Sequence, residues 1–501
     1  MGSAEVPAQD VPTTESDSVN NEKEASRDIT TSSVESAGWD GAASKRLMRK
    51  IDIHLIPFLA LLYLLSFLDR TNIGNARLYE LEKDIGLSSV KLQYNDALAI
   101  FFPFYVAAEI PSNMAMKRFR PSVWIPSIMV AWAICCTLMG IVHNYSGLMA
   151  TRVFLGIAEG GLFPGITYYI TMWYKRHECG LRMAIFFSAA TAAGAFGGLL
   201  ARGIVEMEGV AGLNGWQWIF ILEGILTFVV AIIAYFVMND YPATAKFLSS
   251  EERVEVEARL KRDRSSLADE FATKYFWDAI KDWKIWVHMF ITIGVYTGLY
   301  SYSLFLPTII RDLGYTNNTA QLMTVPPYVV ACVFCVGAGY LADKLGQRGL
   351  FMIFFMGMSI VGLIMLLASQ TAGVKYAGSF FLASGIYPNV PQGVAWNGNN
   401  IGGSLKRGVG IAMHVGFGNL GGTISAYLFL PRQGPKYYEG FSTLLACQAM
   451  AMALSIFMTI YLRRENARRD REYKPPSEYT EEERVAEREK GDNATFFRYT
   501  I

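Results

Sequence analysis

The chain has 501 residues, of which 52% are hydrophobic and 18% are charged, and its formal net charge is +1. Soluble proteins carry about 25% charged residues, so long parts of this chain lack the charge of a water-exposed surface. A net charge this close to zero gives no indication of a nucleic-acid partner, and we expect none. The composition argues against a soluble protein and favours one with many membrane spans.

Residues 1–44 are rich in Ser, Thr, Glu and Asp, and they contain no apolar run of the kind found in signal peptides. We predict a disordered cytoplasmic tail over residues 1–50 and no cleaved signal peptide. The first span must then act as its own insertion signal.

Apolar stretches of about twenty residues recur from His54 to Tyr461. A helix of that length crosses a bilayer core of about 30 Å, and inside lipid only helices and closed barrels satisfy the hydrogen bonds of the backbone. A charged stretch, Met238–Trp283, divides these spans into two groups of six. The predicted span centres are Leu61, Tyr105, Ala131, Ala158, Gly194, Phe228, Thr297, Ala331, Met358, Ile386, Phe417 and Ala453.

The pattern predicts an all-α membrane protein whose twelve transmembrane helices form two six-helix lobes. The N-lobe (51–238, spans 1–6) and the C-lobe (284–463, spans 7–12) are joined by a linker at 239–283. A tail over 464–501 follows, which we expect to be cytoplasmic and disordered. Within the linker, the run Ser249-Ser250-Glu251-Glu252 is typical of a helix N-terminus and precedes alternating Glu and Arg, which predicts an amphipathic helix on the cytoplasmic face.

Lysine and arginine indicate the orientation of the spans. The third connection, His143-Asn144-Tyr145, has no Lys or Arg, whereas the even-numbered connections other than the linker are short and basic. Because basic loops stay in the cytoplasm, we expect both termini and the linker there, in a protein of the plasma membrane. The basic residues before span 1 and in the even-numbered connections are Lys45, Arg46, Arg49, Lys50, Lys117, Arg118, Arg120, Lys175, Arg176, Arg182, Lys344, Arg348, Lys406 and Arg407.

Two motifs stand out, one in span 4 and one in the turn after span 8. Span 4 contains the run Arg152-Val-Phe-Leu-Gly156-Ile-Ala-Glu-Gly160, and the turn after span 8 reads Gly339-Tyr-Leu-Ala-Asp343-Lys-Leu-Gly346-Gln-Arg348. Both resemble signatures of the major facilitator superfamily. With the six-plus-six arrangement, the resemblance covers residues 50 to 465. The turn after span 2 has Lys117 where the signature has aspartate, so we expect a salt-bridged gate at Asp343 and not at that turn.

Within this superfamily, the run Asp69-Arg70-Thr71-Asn72-Ile73-Gly74 is similar to the anion:cation symporters. The phrases Glu109-Ile-Pro111-Ser-Asn113, Trp218-Ile-Phe-Ile-Leu-Glu223-Gly224 and Phe497-Arg498-Tyr499 resemble the fungal allantoate-permease branch. That branch includes nicotinate, pantothenate and other organic-anion permeases. The resemblance implies proton-driven symport of a small organic anion, a monocarboxylate or vitamin-like compound.

Charged residues at membrane depth are costly unless they are paired, face a cavity or function in transport. Arg152 and Glu159 are seven positions apart and share one helix face, about 10 Å apart along the axis. Asp69 and Arg70 are adjacent and must point in different directions, and we expect all four to converge on a central cavity. By resemblance, Asp69 and Glu159 carry the coupling protons and Arg70 contacts the anion, while Arg152 tunes Glu159 and contributes to substrate binding.

Other ionisable residues are expected to have supporting roles. We predict gating roles for Asp343, Arg348 and Glu109, the last toward the cytoplasmic half of span 2. Glu223 in span 6 is predicted to be a structural partner of a basic residue. His414 in span 11 is either a third titrating group or a histidine that is hydrogen-bonded within the helix bundle.

Polar aromatic and amide residues suit a planar anionic substrate, because they combine stacking with directed hydrogen bonds. Their alternative role is to anchor the spans at the membrane interface. By resemblance, Tyr105, Trp396 and Asn419 are substrate contacts. From their positions in spans 7 and 10 we add Tyr296, Tyr300 and Asn397.

Other functions and properties follow from the cysteines, histidines and asparagines or stay open as alternatives. Five scattered histidines and the lone Cys332-x-x-Cys335 pair lack the spacing of an active site or metal site, so we expect no enzyme, metal or cofactor. A secondary-metabolite exporter of the same fold and a non-transporting nutrient receptor stay open as alternatives. We expect a monomer, and a glycoprotein modified at Asn317, with Asn144 as a second glycosylation sequence.

Overall fold

The structure is a computed structural model that describes residues 41–175, 178–264, 273–434 and 436–501. Within these ranges every regular element is a helix. Most of the predicted N-terminal tail, residues 1–40, lies outside the described residues. The first helix begins at Gly41, so the prediction of disorder up to residue 50 is wrong for residues 41–50. The described residues 41–53 and the residues from His54 onward belong to two different compact units, and all contacts below lie within the second.

The helices of the N-lobe follow the predicted span centres. Spans 2 and 4 are each made of two helices in direct succession. Their bounds are Gly41–Arg77 (span 1), Gln93–Ala99 and Phe101–Arg118 (span 2), Pro121–Met139 (span 3), Tyr145–Glu159 and Leu162–Trp173 (span 4), Cys179–Val205 (span 5) and Gly215–Val237 (span 6).

The helices of the C-lobe have the same order. Spans 10 and 11 are also divided into two helices. Their bounds are Trp283–Arg311 (span 7), Asn317–Leu345 (span 8), Gly349–Ala368 (span 9), Ala372–Ile386 and Asn389–Asn399 (span 10), Ser404–Asn419 and Gly421–Ala426 (span 11) and Tyr438–Glu472 (span 12).

Ten spans, all except 10 and 11, are long and apolar enough to cross a bilayer without interruption. The two helices of span 10 have 15 and 11 residues, and those of span 11 have 16 and 6, so only each pair together reaches the required length. The break in span 10 falls at Pro388, whose ring removes a backbone donor. The predicted centres Ile386 and Phe417 both lie close to these breaks.

Large apolar side chains face outward along the spans, where a soluble protein would present polar groups. Phe236 is 85% exposed and Val333 is 68% exposed. Exposed apolar surface is unfavourable in water and favourable in lipid. The outward face of the helices is therefore a lipid-facing surface.

Helix packing defines the two lobes and the surface between them. In the N-lobe, span 4 packs on spans 2 and 3, and span 6 packs on spans 3 and 5. In the C-lobe, span 7 packs on spans 11 and 12, and span 9 packs on spans 10 and 12. Spans 5 and 8 pack across the lobes, as do spans 2 and 11. These two pairs form much of the boundary between the lobes.

Two glycines of span 4 bring it against the backbone of span 2. A Cβ atom on Gly156 would lie 2.5 Å from the carbonyl oxygen of Phe101, and one on Gly160 would lie 2.3 Å from that of Tyr105. No side chain fits at these distances. The close approach places Glu159, between the two glycines, at the depth of Tyr105.

The linker contains two helices, Ser250–Arg264 and Thr273–Lys281. The predicted N-terminal cap of the first is confirmed, because the backbone N–H of Ser249 donates to Glu252 Oε2 and the backbone N–H of Glu252 donates to Ser249 Oγ. The second helix packs Ala279 against Ile285 of span 7. We call the end of the molecule that carries residues 238–282 the linker end, and the opposite end the far end.

Residues 464–501, here the C-terminal segment, are folded against the linker end. Lys284 Nζ and Lys406 Nζ donate to the two carboxylate oxygens of Asp492, at 2.5 and 2.6 Å. Arg469 Nη1 donates to the carbonyl oxygens of Asp492 and Phe497. The expectation that this segment is disordered is wrong. Its apolar content is low, but ion pairs and hydrogen bonds to its backbone hold it in place.

Candidate functional site

The centre of the molecule holds a buried ion pair between two inner helices of the N-lobe. Arg70 of span 1 donates from Nε (3.1 Å) and Nη2 (2.5 Å) to Oε1 of Glu159 in span 4. Ser66 Oγ donates to the same oxygen at 2.5 Å. The second oxygen, Oε2, is buried and has no hydrogen-bond partner among the described residues. Glu159 therefore uses one oxygen for three donors and leaves the other unused.

Aromatic rings surround the guanidinium of Arg70. Its Cζ atom lies 4.9 Å from the ring centroid of Tyr105, 5.3 Å from that of Phe101 and 6.0 Å from that of Phe67. The faces of aromatic rings attract cations, by about 2 kcal/mol where the cation is dehydrated. This enclosure stabilises a cation at membrane depth while leaving its N–H donors for an anion.

Arg70 also connects the two lobes. Its Nη1 donates to the hydroxyl of Tyr300 in span 7 at 2.9 Å, and that hydroxyl donates to Asn419 Oδ1 in span 11 at 2.6 Å. The ring of Tyr296 lies 6.2 Å from that of Tyr300, and its hydroxyl has no partner within the described chain. Four residues predicted from the sequence, together with Tyr105 and Glu159, therefore lie in one cluster.

Asp69 points away from this cluster, into the N-lobe. Its carboxylate accepts hydrogen bonds from Trp132 Nε1 (3.1 Å), Thr227 Oγ1 (3.0 Å) and the thiol of Cys136 (3.5 Å). The prediction that adjacent residues diverge is confirmed, whereas the expectation that Asp69 meets Glu159 in one cavity is wrong. One residue of helix turns a side chain by about 100°, which sends Asp69 toward spans 3 and 6.

Glu223 in span 6 lies near Asp69, and no basic side chain among the described residues pairs with it, contrary to the prediction. Its Oε2 accepts a hydrogen bond from Asn72 Nδ2 at 2.6 Å. An amide one turn after Asp69 on span 1 thus takes the place of the expected cation. The N-lobe contains two buried carboxylates that are held by neutral donors.

Arg152 forms no ion pair with Glu159 in the described structure, and its predicted tuning of Glu159 stays a prediction. It is 1% exposed, and its Nε and Nη1 have no hydrogen-bond partner among the described residues. The seven positions between them correspond to about 10 Å along the axis, and Arg70 reaches Glu159 from the neighbouring span. The Cζ atom of Arg152 lies 5.8 Å from the ring of Phe101, which also faces Arg70.

Interactions at the linker end connect the lobes a second time. Asp343 forms an ion pair with Arg348, as predicted, and Arg348 Nη1 donates to Gln392 Oε1 at 2.7 Å. The other oxygen of Asp343 accepts from the backbone N–H of Leu181 at 2.6 Å, in the first turn of span 5. A carboxylate at a helix N-terminus satisfies a free N–H and interacts favourably with the helix dipole.

The far end is also closed by contacts between the lobes. Asn95 Nδ2 donates to the carbonyl oxygen of Ala426 at 2.6 Å, and Tyr427 OH donates to Asp96 Oδ1 at 2.7 Å. Asn317 is exposed, yet its Nδ2, the atom that a glycan would use, donates to the carbonyl oxygen of Leu78 at 2.9 Å. Its glycosylation stays a prediction. With contacts at both ends, the structure corresponds to a state in which the central cluster is enclosed.

Trp396 and Asn397 lie outside the central cluster. The indole N–H of Trp396 donates to the carbonyl oxygen of Thr500, and its ring packs edge-on against His288. His288 is twelve residues before Tyr300 on span 7, which is about 18 Å nearer the linker end. Asn397 Nδ2 donates to the carbonyl oxygen of Gly410 and holds spans 10 and 11 together.

The two remaining predicted residues are both buried. A ring nitrogen of His414 lies 2.9 Å from Thr292 Oγ1, so this histidine is hydrogen-bonded within the helix bundle. Glu109 is 1% exposed, and neither of its carboxylate oxygens has a hydrogen-bond partner in the described part of the chain.

Sequence reasoning missed several residues that hold the site together. Ser66 precedes Arg70 by four positions, so helical spacing alone places both on one face of span 1. Phe67 and Phe101 could not have been distinguished from lipid-facing phenylalanines. Trp132 and Thr227 carry no signal either, because their contact with Asp69 depends on how spans 1, 3 and 6 are arranged.

Two lobes of membrane-spanning helices, with a charged site enclosed between them, define a membrane transporter and not an enzyme. The chain belongs to the Major Facilitator Superfamily, whose sequence profile matches residues 59–426.

Relatives of the chain are transporters from fungi. It is 32% identical over 487 residues to an uncharacterized transporter of Schizosaccharomyces pombe, covering 96% of this chain and 95% of that one. The MFS-type transporter cnsO of Penicillium expansum is 34% identical, covering 86% of each chain. The major facilitator-type transporter hxnP of Emericella nidulans is 33% identical, covering 86% of this chain and 88% of that one.

Solved structures share the fold. The crystal structure of a D-xylose–proton symporter gives a TM-score of 0.61 at 16% identity, covering 81% of this chain and 97% of that chain. A bacterial homologue of the human lysosomal transporter Spinster, in an inward-facing and occupied conformation, gives 0.57 at 16% identity, covering 81% and 96%. At this identity the likeness shows the fold alone.

Proposed function

We propose that this protein is a proton-coupled symporter of a small organic anion, of the allantoate-permease branch, in the plasma membrane. The linker end faces the cytoplasm, because the basic connections lie there. Both termini are then cytoplasmic. The transported anion is a monocarboxylate or a vitamin-like compound.

One observation carries this proposal, which is that the anion-binding donors of Arg70 are occupied by a carboxylate of the protein itself. Two N–H groups of Arg70 donate to Glu159. A substrate carboxylate needs the same two N–H groups for a bidentate contact. Glu159 and the substrate therefore compete for Arg70.

A proton resolves this competition. Protonation of Glu159 removes its charge and weakens its hold on Arg70, which then binds the substrate carboxylate. The proton and the anion enter together, so the site gains no net charge at membrane depth, where an uncompensated charge costs several kcal/mol. The site binds substrate tightly only when Glu159 is protonated, and this dependence is the physical basis of symport.

Asp69 is the second proton site of the proposal. Its three donors are neutral, and no basic side chain is bonded to it in the described structure. A carboxylate in such surroundings can take up a proton without breaking an ion pair. Protonation there would change the packing of spans 1, 3 and 6, and thereby the shape of the N-lobe.

Substrate contacts come from the cluster around Arg70. The rings of Tyr105 and Tyr300 offer stacking surfaces, and Asn419 offers an amide next to the Tyr300 hydroxyl. The hydroxyl of Tyr296, which has no partner among the described residues, is a further donor. The guanidinium of Arg152, whose Nε and Nη1 have no hydrogen-bond partner there either, adds positive charge nearby. Trp396 and Asn397 are not among the proposed contacts, because their N–H groups donate to backbone carbonyl oxygens of Thr500 and Gly410.

The gate of the linker end is formed by Asp343 and Arg348. The carboxylate of Asp343 ties the N-lobe's span 5 to the C-lobe's span 8 through Leu181 N–H. Opening this end toward the cytoplasm requires that bond to break, while the Asp343–Arg348 pair can persist within the C-lobe. Alternating access then consists of breaking the contacts at one end while those at the other end hold.

The test is uptake of labelled nicotinate, pantothenate and allantoate by the purified protein in liposomes. We expect uptake of at least one of these to accelerate as the external pH falls and to collapse when a protonophore is added. Empty liposomes serve as the control. Uptake that is saturable but indifferent to the proton gradient would remove proton coupling from the proposal, and efflux against the gradient would favour an exporter.

A further inference from the structure

Glu109 differs from three other buried carboxylates of the described spans. Asp69, Glu159 and Glu223 each accept at least one side-chain hydrogen bond. Glu109 accepts none from the described residues, although it is 1% exposed. It lies in the middle of span 2, one turn nearer the linker end than Tyr105.

The Glu109 carboxylate rests against span 11 of the other lobe. A Cβ atom on Gly416 would lie 3.3 Å from Glu109 Oε2, so the glycine backbone forms the surface that covers this oxygen. Spans 2 and 11 pack directly on each other. Glu109 therefore lies on the surface between the lobes, which must separate when the linker end opens.

The titratable groups that face Glu109 are tyrosines. Tyr105 on its own helix and Tyr296 and Tyr300 on span 7 interact with it electrostatically. On span 11 the titratable side chain next to Gly416 in the sequence is His414, which is bonded to Thr292 of span 7. Within the described chain, no cation is bonded to Glu109 to compensate a negative charge.

This environment decides the protonation of Glu109 in the enclosed state. An isolated buried charge costs several kcal/mol even after the protein relaxes. A neutral carboxyl group costs far less, so Glu109 holds a proton while spans 2 and 11 are in contact. When these spans separate at the linker end, water reaches the carboxyl group and solvates the anion, and the proton leaves to that water.

We propose that Glu109 is a further proton-binding site of the transporter, which is loaded in the enclosed state and releases its proton on the linker side. The proposal rests on the proposed function, because it adds a proton to a symport cycle. It assigns Glu109 a role beyond gating, since the carboxyl group both senses the separation of the lobes and carries a proton through it.

The test is the number of protons transported with each substrate molecule. In liposomes with a fixed gradient of the labelled substrate found above, the pH gradient is varied until net flux stops, and the balance point gives this number. Glu109→Gln keeps the shape of the protonated side chain but cannot release a proton. We expect the number to fall by about one relative to the parent, with substrate binding retained.

Controls separate this inference from the proposed function. Glu257→Gln, at an exposed position of the linker helix, should leave the balance point unchanged. A parent protein whose balance point ignores the pH gradient would refute proton coupling altogether. A coupled parent and a Glu109→Gln variant with the same balance point would overturn only the role of Glu109.

Two further variants keep the test decisive if Glu109→Gln does not fold. Glu109→Asp retracts the carboxyl group from span 11, and Gly416→Ala presses a methyl group toward its oxygen. Both keep a titratable group, so we expect full proton coupling but a shift in the linker-side pH that gives half-maximal transport. An unchanged half-maximal pH in both variants would contradict the proposal.

Discussion

The Arg70–Glu159 pair at the centre and the Arg348–Asp343 pair at the linker end use the same two kinds of side chain in opposite ways. At the centre both charges belong to the N-lobe, and the cation reaches the C-lobe through the hydroxyl of Tyr300. At the linker end both charges belong to the C-lobe, and the anion reaches the N-lobe through the backbone N–H of Leu181.

This difference matches the roles that we propose for the two regions. A cation that bridges to a neutral hydroxyl can exchange its partners for a substrate carboxylate. An anion that caps a helix N-terminus has no substrate to exchange with, so it can only keep or break its contact with that helix. The centre is therefore suited to binding and the linker end to gating, although each pairs an arginine with a carboxylate.

The largest effect should come from the central cation. We expect Arg70→Lys to weaken substrate binding by about 10- to 100-fold, because an ammonium group cannot donate in parallel to a carboxylate and also reach Tyr300. The measurement is substrate affinity in liposomes. Arg77→Lys is the matched control, since Arg77 forms an ion pair with Glu82 at the end of the same helix. Equal affinity in Arg70→Lys and the parent would place the anion site elsewhere.

The corresponding change at the linker end should affect access more than affinity. Asp343→Asn replaces a charge-assisted bond to Leu181 N–H, worth about 1.5–3 kcal/mol, by a weaker neutral one. The thiol of Cys179, buried two residues before Leu181, reports on opening. We expect a membrane-impermeant thiol reagent on the linker side to modify it up to about 10-fold faster. A Cys179→Ala background corrects for the other cysteines, and an unchanged rate would mean that Asp343 is not part of the gate.

A smaller effect is expected where the cation bridges the lobes. Tyr300→Phe keeps the ring but removes the hydroxyl that bonds Arg70 and Asn419, for which we expect a net loss of about 0.5–1.5 kcal/mol in binding. We expect affinity to fall by about 2- to 10-fold. Tyr302→Phe is the control, because it deletes a hydroxyl of the same span that bonds Ser379 within the C-lobe. If the two variants lose affinity equally, the bridge between the lobes has no special role.

The smallest effect concerns pH at the C-terminal segment. Burial raises the pKa of Asp492, but Lys284 and Lys406 lower it more, so the net shift is downward. A carboxylate with a lowered pKa stabilises the folded state above its ordinary value of about 3.9, and the contribution is lost as the pH falls through the lowered pKa. We expect protease resistance of this segment to be constant from about pH 5 to pH 8 while uptake varies. Loss of resistance within that range would refute this assignment.

Properties that are local in the sequence were predicted well. Apolar stretches of about twenty residues located the twelve spans, and the spacing of Ser249 and Glu252 located a helix start. The Asp343–Arg348 pair was also predictable, because the two residues lie five positions apart in the same turn between spans. The predicted central role of Arg70 and Glu159 came from the resemblance to anion:cation symporters, and the structure brings the two residues together.

Properties that depend on the arrangement of helices were not predictable. Arg152 was expected to tune Glu159 because both lie on one helix face, but the ion-pair partner of Glu159 is Arg70 from another helix. The orientation of Asp69 toward Trp132 is set by the rotation of span 1, which no local pattern encodes. Trp396 binds the backbone of Thr500, so its surroundings depend on a segment whose composition suggested disorder.

The central claim is that Glu159 and the substrate exchange places on Arg70 through a proton. Glu159→Gln tests it most directly, because the amide imitates the protonated acid but cannot ionise. The measurement compares exchange of labelled for unlabelled substrate with net accumulation driven by a proton gradient, in the same liposomes.

We predict that Glu159→Gln retains exchange, which does not require the empty carrier to reorient, and loses accumulation, because the empty carrier cannot release its proton and reset. Loss of both activities, with poor folding, would mean that Glu159 only compensates the charge of Arg70, since an unpaired buried cation costs about 3–5 kcal/mol. Full accumulation in this variant would contradict the account outright.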